Sequence, residues 1–200
     1  MLVSVLSCHS QSVLADSATT QEARVQTSPF SYSVTPVPAN VVSATIPLGT
    51  TSKPGGTGLR YLLVDRQISL LEERPRNFAR LIVQPLDTQA VQKAAQLYVY
   101  FNPEYQKLEL HSVRITRNGK TMDRTQQAKF ELLQRETRLE QQQYDGEVSA
   151  VAILADIRVN DIIEFERSVV GENPIFKGRF AAMSPMRAPA TSEHYSLRLV

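Results

Sequence analysis

Apolar residues recur at every second position in short stretches of this sequence, and that spacing constrains its fold more than any other feature. In residues 162–170, Ile163, Phe165 and Val169 alternate with polar residues. Strand-forming residues also fill positions 59–71, 77–83, 97–101 and 194–200. Successive side chains of a β-strand point to opposite faces, so the alternation predicts strands with one buried and one wet face.

Residues 107–117 break this alternation in the middle of a strand. Leu108 and Leu110 share one parity, whereas Val113 and Ile115 have the opposite one. All four can point inward only if one extra residue is inserted, which predicts a β-bulge near His111 and Ser112. The Asn-Gly pair that follows at 118–119 is a strong signal for a tight hairpin.

Helical signals are few. Residues 88–96 place Val91 and Ala94 on one face and predict a short helix. Residues 126–143 are polar and charged, and Glu131 and Arg135 have the spacing of a helical ion pair, so we expect a partly helical surface excursion. The apolar run 148–157 indicates a central strand covered on both faces. The sequence therefore predicts an all-β fold, an antiparallel β-sandwich with a disordered N-terminal tail and one or two short helices.

The first 15 residues are mildly apolar and end in Val13-Leu14-Ala15, a small-residue pattern typical of signal-peptide cleavage sites. No Lys or Arg precedes the apolar stretch, so we interpret 1–15 as the remnant of a secretory signal that starts upstream. Two alternatives stay open. Cys8 could be a lipoprotein cysteine, although its surroundings fit poorly, or the segment could be a disordered extension.

The remaining chain divides into two parts. Residues 16–58 are rich in Pro, Gly, Ser and Thr and are interpreted as a linker, because such composition buries little apolar surface. Residues 59–200 form the expected sandwich domain. The sequence stops inside the alternating stretch 194–200, so we expect a domain truncated at its C-terminus.

Charge and composition exclude several classes of function. Lys plus Arg total 22 and Asp plus Glu total 20, a net charge of +2 that does not favour nucleic-acid binding. No apolar run is long enough for a transmembrane helix. One cysteine allows neither an intramolecular disulfide nor a cysteine-based zinc site, and the three histidines lie far apart.

No set of residues amounts to an active site, so no catalytic, cofactor or metal-binding residue is assigned. Glu164 and Glu166 share a strand face as a glycosidase pair would, but a solvated sheet face is the favoured interpretation. Strand aromatics are more often core than ligand platforms. The candidates kept for an interaction surface are Tyr98, Tyr100, Tyr105 and His111.

Four segments in order resemble an uncharacterised domain that precedes the transglutaminase-like core in many exported bacterial proteins. They are residues 101–108 (FNPEYQKL), 111–113 (HSV) with the turn 117–119 (RNG), 156–164 (DIRVNDIIE) and 171–180 (GENPIFKGRF). The likeness covers roughly two-thirds of the chain. In one departure, Asn160 stands where the family leads us to expect glycine. Asn tolerates the left-handed conformation, so the turn should survive.

The resemblance implies a non-catalytic module that packs against, or presents substrate to, a downstream transglutaminase-like domain in the periplasm or outside the cell. That family's Cys, His and Asp triad belongs to the downstream domain, so no catalytic role carries over to this chain. Two alternatives remain: a carbohydrate-binding module that uses its tyrosines, and a hydrolase that uses His111 with nearby carboxylates.

Overall fold

The computed structural model describes residues 30–44, 58–134, 146–181 and 192–200, and the expected signal remnant 1–15 lies outside them. Strands dominate the described residues. In chain order the elements are β1 (Tyr32–Val34), β2 (Leu59–Ser69), β3 (Arg76–Pro85), α1 (Thr88–Ala94), β4 (Gln96–Phe101), β5 (Lys107–Arg117), β6 (Lys120–Asp123), β7 (Glu131–Gln134), β8 (Val148–Ile153), β9 (Ile162–Val170) and β10 (Tyr195–Leu199).

The strands form two sheets, which confirms the all-β, sandwich-like fold. The large sheet has the order β1-β5-β9-β3-β2-β10, with β6 paired to β5, and the small sheet has the order β4-β8-β7. Most neighbours are antiparallel, as expected. The two outermost strands of the large sheet differ, because β1 pairs with β5 and β10 pairs with β2 in parallel.

The core lies between the sheets. Inward residues of the large sheet include Val113, Ile163 and Phe165, and those of the small sheet include Val99 and Ala150. The rings of Phe130 and Phe165 stack with their centroids 5.9 Å apart. Burial of these alternating positions is the main force that holds the two layers together.

The bulge in β5 is confirmed. Leu110 pairs with Arg167 and Ser112 with Glu166, so His111 is the extra residue. Leu108, Leu110, Val113 and Ile115 are all buried as a result. The hairpin signal is also confirmed, because Asn118 and Gly119 have φ of +50° and +77° between β5 and β6.

The short helix is confirmed as α1, which begins after Asp87; its carboxylate accepts a hydrogen bond from the Ala90 N–H at 2.7 Å. The helical interpretation of 126–143 is wrong for residues 126–134, which the structure describes. Residues 131–134 form β7, with Leu132 buried and Leu133 exposed. Pairing with β8 and burial of Leu132 in the core beside Phe130 stabilise a strand there, despite the polar composition of the segment. Residues 135–143 lie outside the described part.

The outward face of the large sheet differs from the wet surface that the alternation of β9 predicts. Glu166 and Ser168 are buried together with their inward neighbours. Residues 35–44 lie across this face: Gln67 donates a hydrogen bond to the Val42 carbonyl at 2.6 Å and accepts one from its N–H at 3.0 Å. A segment from the expected linker region therefore covers part of the sheet.

Candidate functional site

The outward face of the small sheet is open and carries aromatic and aliphatic side chains. Tyr98 pairs with Val151 and Tyr100 with Ser149, while Leu133 faces Ser149 from β7. Tyr98 is 48% exposed, Tyr100 57% and Ile153 74%. We call Tyr98, Tyr100, Leu133, Val151 and Ile153 the tyrosine face. Apolar patches of this kind on a folded domain commonly mark interaction sites.

Alternation in β4 explains why the tyrosines are outside. Leu97, Val99 and Phe101 are buried in the core, so the residues between them must point outward. The Tyr98 hydroxyl donates a 2.5 Å hydrogen bond to the side chain of Gln96. The expectation that strand aromatics belong to the core is therefore wrong for Tyr98 and Tyr100.

The other two residues considered for an interaction surface do not join this face. Tyr105 is half-buried in the turn between β4 and β5. His111 is buried in the large sheet, on the opposite side of the sandwich core. The structure thus brings together two of the four candidates.

His111 is the centre of a buried polar cluster. Its Nδ1 lies 3.1 Å from the Thr35 carbonyl oxygen, which can only accept, so Nδ1 donates in the neutral ring. Its Nε2 then accepts from the Ser168 hydroxyl at 2.7 Å. Phe78 stacks on the ring with the centroids 5.8 Å apart. Burial lowers the pKa of His111, which favours this neutral form.

The Ser168–His111 pair has the hydrogen bond of a nucleophile and its base, but not the access. Ser168 is 0% exposed, His111 is buried, and the Thr35 carbonyl occupies the Nδ1 side of the ring. A nucleophile must reach its substrate, and this hydroxyl lies within the sheet. The geometry therefore suits a structural role, in which the bulge holds the residues that follow β1.

The two glutamates of β9 are used in ion pairs. Arg80 donates to Glu164 at 2.7 Å, and Glu166 accepts a 2.5 Å hydrogen bond from Ser112. Arg114 adds a second cation near both carboxylates. Such paired carboxylates lack the free acid and free base that glycoside hydrolysis needs.

The part of the chain that the structure describes contains neither a cluster of metal-ligating side chains nor a membrane-spanning helix. In those residues, no three His, Cys, Asp or Glu side chains converge on a common point. No described helix is long and apolar enough to cross a bilayer.

Sequence comparison identifies the family. The profile of DUF3857, described as a domain of unknown function with a solved structure, matches residues 76–200, more than half of the chain. The chain belongs to the DUF3857 family. The match contains β3 to β10, so the small sheet with its tyrosine face, and the large sheet apart from β1 and β2, lie within the family region of this DUF3857 domain. No curated protein matches the sequence.

Solved structures resemble the fold of this DUF3857 member. A crystal structure of a candidate protease from Parabacteroides distasonis matches with a TM-score of 0.50 and 14% identity, covering 57% of this chain and 23% of that one. The aligned region is therefore less than a quarter of that protein. The CBM3a-L domain of a cellulosome scaffoldin from Clostridium thermocellum matches with a TM-score of only 0.36 and 9% identity, over 60% of this chain and 72% of that one. This second likeness is too weak to support any argument.

Two participants in the His111 cluster were not found from the sequence. Ser168 has the parity of Glu164 and Glu166, so its position on their face is readable, but its burial is not. Thr35 lies 76 residues before His111, and nothing local signals that contact.

Proposed function

We propose that this chain is a non-catalytic interaction module of an exported bacterial protein. Its tyrosine face docks onto a downstream transglutaminase-like domain of the same polypeptide and helps to present substrate to it. The observation that carries the proposal is that the outward face of the small sheet exposes two tyrosines together with Leu133 and Ile153. The resemblance found in the sequence supplies the partner.

The composition of the tyrosine face supports a role in binding. Tyrosine offers a large apolar area with few rotatable bonds and a polar end, which is why it recurs at the centres of interfaces. Tyr100 and Leu133 flank Ser149 in one row across the small sheet, Tyr98 and Val151 form the next row, and Ile153 lies in the row beyond. In contrast, the described His, Ser and Glu clusters are buried or ion-paired.

The first prediction tests docking directly. The polypeptide encoded downstream of residue 200 in the parent reading frame is expressed separately and titrated with this chain by calorimetry. We expect Tyr100→Ala together with Ile153→Ala to weaken binding by roughly 30-fold or more, since a single buried aromatic anchor contributes about 2 kcal/mol or more.

The matched control is Leu71→Ala, which removes an equally exposed side chain from the β2–β3 turn. It should leave the affinity unchanged. No binding by the unmodified chain, or equal binding by the double variant, contradicts the proposal.

A glycan ligand is the second candidate, favoured by the shared exposure of Tyr98 and Tyr100. Their rings leave the same face about 7 Å apart, the repeat of alternate strand residues. The chain has no tryptophan, so tyrosine fluorescence reports directly on ring contacts. Quenching by a panel of neutral hexasaccharides, lost in Tyr98→Ala, would favour this candidate over protein docking.

A further inference from the structure

Most arginines in the interior strands of the large sheet (β5, β9, β3 and β2) have carboxylate partners, and two do not. Those paired with carboxylates are Arg60, Arg76, Arg80, Arg114 and Arg117. Among the described residues, no hydrogen bond or ion pair is made by the side chains of Arg66 and Arg167. A half-buried guanidinium without a partner loses hydration without compensation.

These two arginines lie side by side on the inward face. Ala79 of β3 pairs with Arg66 of β2 on one side and with Arg167 of β9 on the other. The three residues therefore form one row across the sheet, with only a methyl group between the two cations. Burial, and secondarily the charge of Arg66, lower the pKa of Arg167 to about 10. A carboxylate placed between them would relieve both effects.

An apolar groove begins one row away. It has a volume of about 300 Å³ and lies between β4 and the inward residues of β2, β3 and β9. Leu81 and Phe165 line it, and each stands two residues from the arginine row, Leu81 from Ala79 and Phe165 from Arg167. Lys93 borders the groove from α1. The arginine row and the apolar row that lines the groove are thus about 7 Å apart, which is the distance between alternate residues of a strand.

The edge of β4 beside this groove is unpaired among the described strands. The Ala95 carbonyl accepts from the Leu154 N–H at 2.8 Å, so residues of that parity direct their main-chain groups toward β8. The N–H and C=O groups of Tyr98 and Tyr100 then point to the other edge. An unpaired strand edge is a template for adding another strand.

We propose that this groove binds an extended acidic peptide segment that adds to the free edge of β4. One of its carboxylates lies between Arg66 and Arg167, and an apolar side chain two residues away fills the groove beside Phe165. Side chains at positions i and i+2 of an extended peptide are about 7 Å apart, so one can reach the arginine row while the other reaches the apolar row of the groove. The peptide's main chain hydrogen-bonds to Tyr98 and Tyr100.

This site differs from the tyrosine face, although Tyr98 contributes to both. The groove uses the main chain of β4 and the space between the sheets, whereas the tyrosine face uses side chains on the outside of the small sheet. Failure of one proposal therefore leaves the other standing.

The test uses the full 200-residue chain and fluorescein-labelled peptides. Two peptides carry Val-Thr-Glu and Glu-Thr-Val at the centre of a Ser/Thr-rich nonapeptide, which covers both strand directions, and matched peptides carry Gln in place of Glu. We expect anisotropy to show binding of at least one acidic peptide, weakened roughly tenfold or more by the Gln replacement. Arg66→Gln and Arg167→Gln should weaken it similarly, while Arg74→Gln, in the exposed β2–β3 turn, should not.

Hydrogen exchange distinguishes strand addition from simple attraction between charges, because only strand addition protects the amides of β4. Bound peptide should slow exchange of the Tyr98 and Tyr100 amides. Equal binding of the Glu and Gln peptides, no binding of either, or acidic-peptide binding without amide protection would each overturn the proposal. Sodium acetate that competes at the peptide's own concentration would reduce the site to an anion site and also overturn it. The peptide comparison uses the unmodified chain, so the result does not depend on the folding of Arg167→Gln.

Discussion

At the scale of single residues, His111 shows how burial gives one side chain a function in stability. The ring connects Thr35, Ser168 and Phe78, which come from three separate parts of the chain. The nearby charges oppose each other, because Glu109 and Glu166 raise its pKa while Arg76 lowers it. Burial is the largest cause, and the net pKa lies below the ordinary histidine value.

The pKa of His111 predicts a pH dependence of stability. As pH falls below about 6.5, the unfolded histidine takes up a proton before the folded one does, so stability decreases until the folded pKa is passed. The decrease from this group is at most about 1.4 kcal/mol per pH unit. Urea unfolding at pH 7.5 and 5.5 should show a larger loss for the unmodified chain than for His111→Gln. Equal losses would show that His111 does not titrate differently on folding.

At the scale of elements, the bulge of β5 reconciles two apolar parities in one strand. His111 is the residue that has no register partner, and the residues on both sides of it pair with consecutive residues of β9. Removing it would restore strict alternation, with Leu108, Leu110, Val113 and Ile115 still facing inward. Deleting Arg114 would instead send an apolar side chain to the wrong face.

Two single-residue deletions of β5 therefore have different expected results. Deletion of His111 should cost about 1–3 kcal/mol through the lost hydrogen bonds and ring contact. Deletion of Arg114 keeps the same chain length but makes Val113 and Ile115 adjacent, so one large side chain leaves the core at roughly 1.5–3 kcal/mol, in addition to the loss of pairing with β6. Chemical denaturation ranks the two. A His111 deletion less stable than the Arg114 deletion would contradict this role of the bulge.

At the scale of the whole molecule, residues 30–44 complete the sandwich from outside the family region. Tyr32 is buried, its hydroxyl accepts from the Phe130 N–H at 3.2 Å, and its ring meets Phe130 edge-on at 5.6 Å. Residues further along cover Gln67 and reach Arg80. The domain boundary at residue 59 expected from composition is therefore better tested by truncation than by sequence.

Truncation to residues 59–200 should lower the free energy of unfolding by about 3–5 kcal/mol relative to the full chain, the usual cost of removing one large aromatic side chain from a core. Tyr32→Ala alone should account for most of that loss. The matched control is Val37→Ala, at a partly exposed position of the same segment, which should change stability by no more than about 0.5 kcal/mol. Equal unfolding midpoints for 59–200 and the full chain would place the boundary at 59 after all.

Local patterns in the sequence determined most of the strands, the β5 bulge, the tight hairpin and the short helix, because each depends on neighbours within a few residues. Asn160 is another such case: its φ of +69° shows that it takes the left-handed position expected of a glycine there. The β7 strand was missed because it is only four residues long with two apolar residues, and so short a stretch gives no clear alternation within a polar segment.

Only the tertiary structure decided which faces are buried. Glu166 and Tyr100 both occupy outward positions of regular strands, yet Glu166 is covered by arginines and Ser112 while Tyr100 is open. The burial of a strand's second face depends on what the chain places over it. For the large sheet that cover includes residues 35–44, which lie far away in sequence, and no periodicity records it.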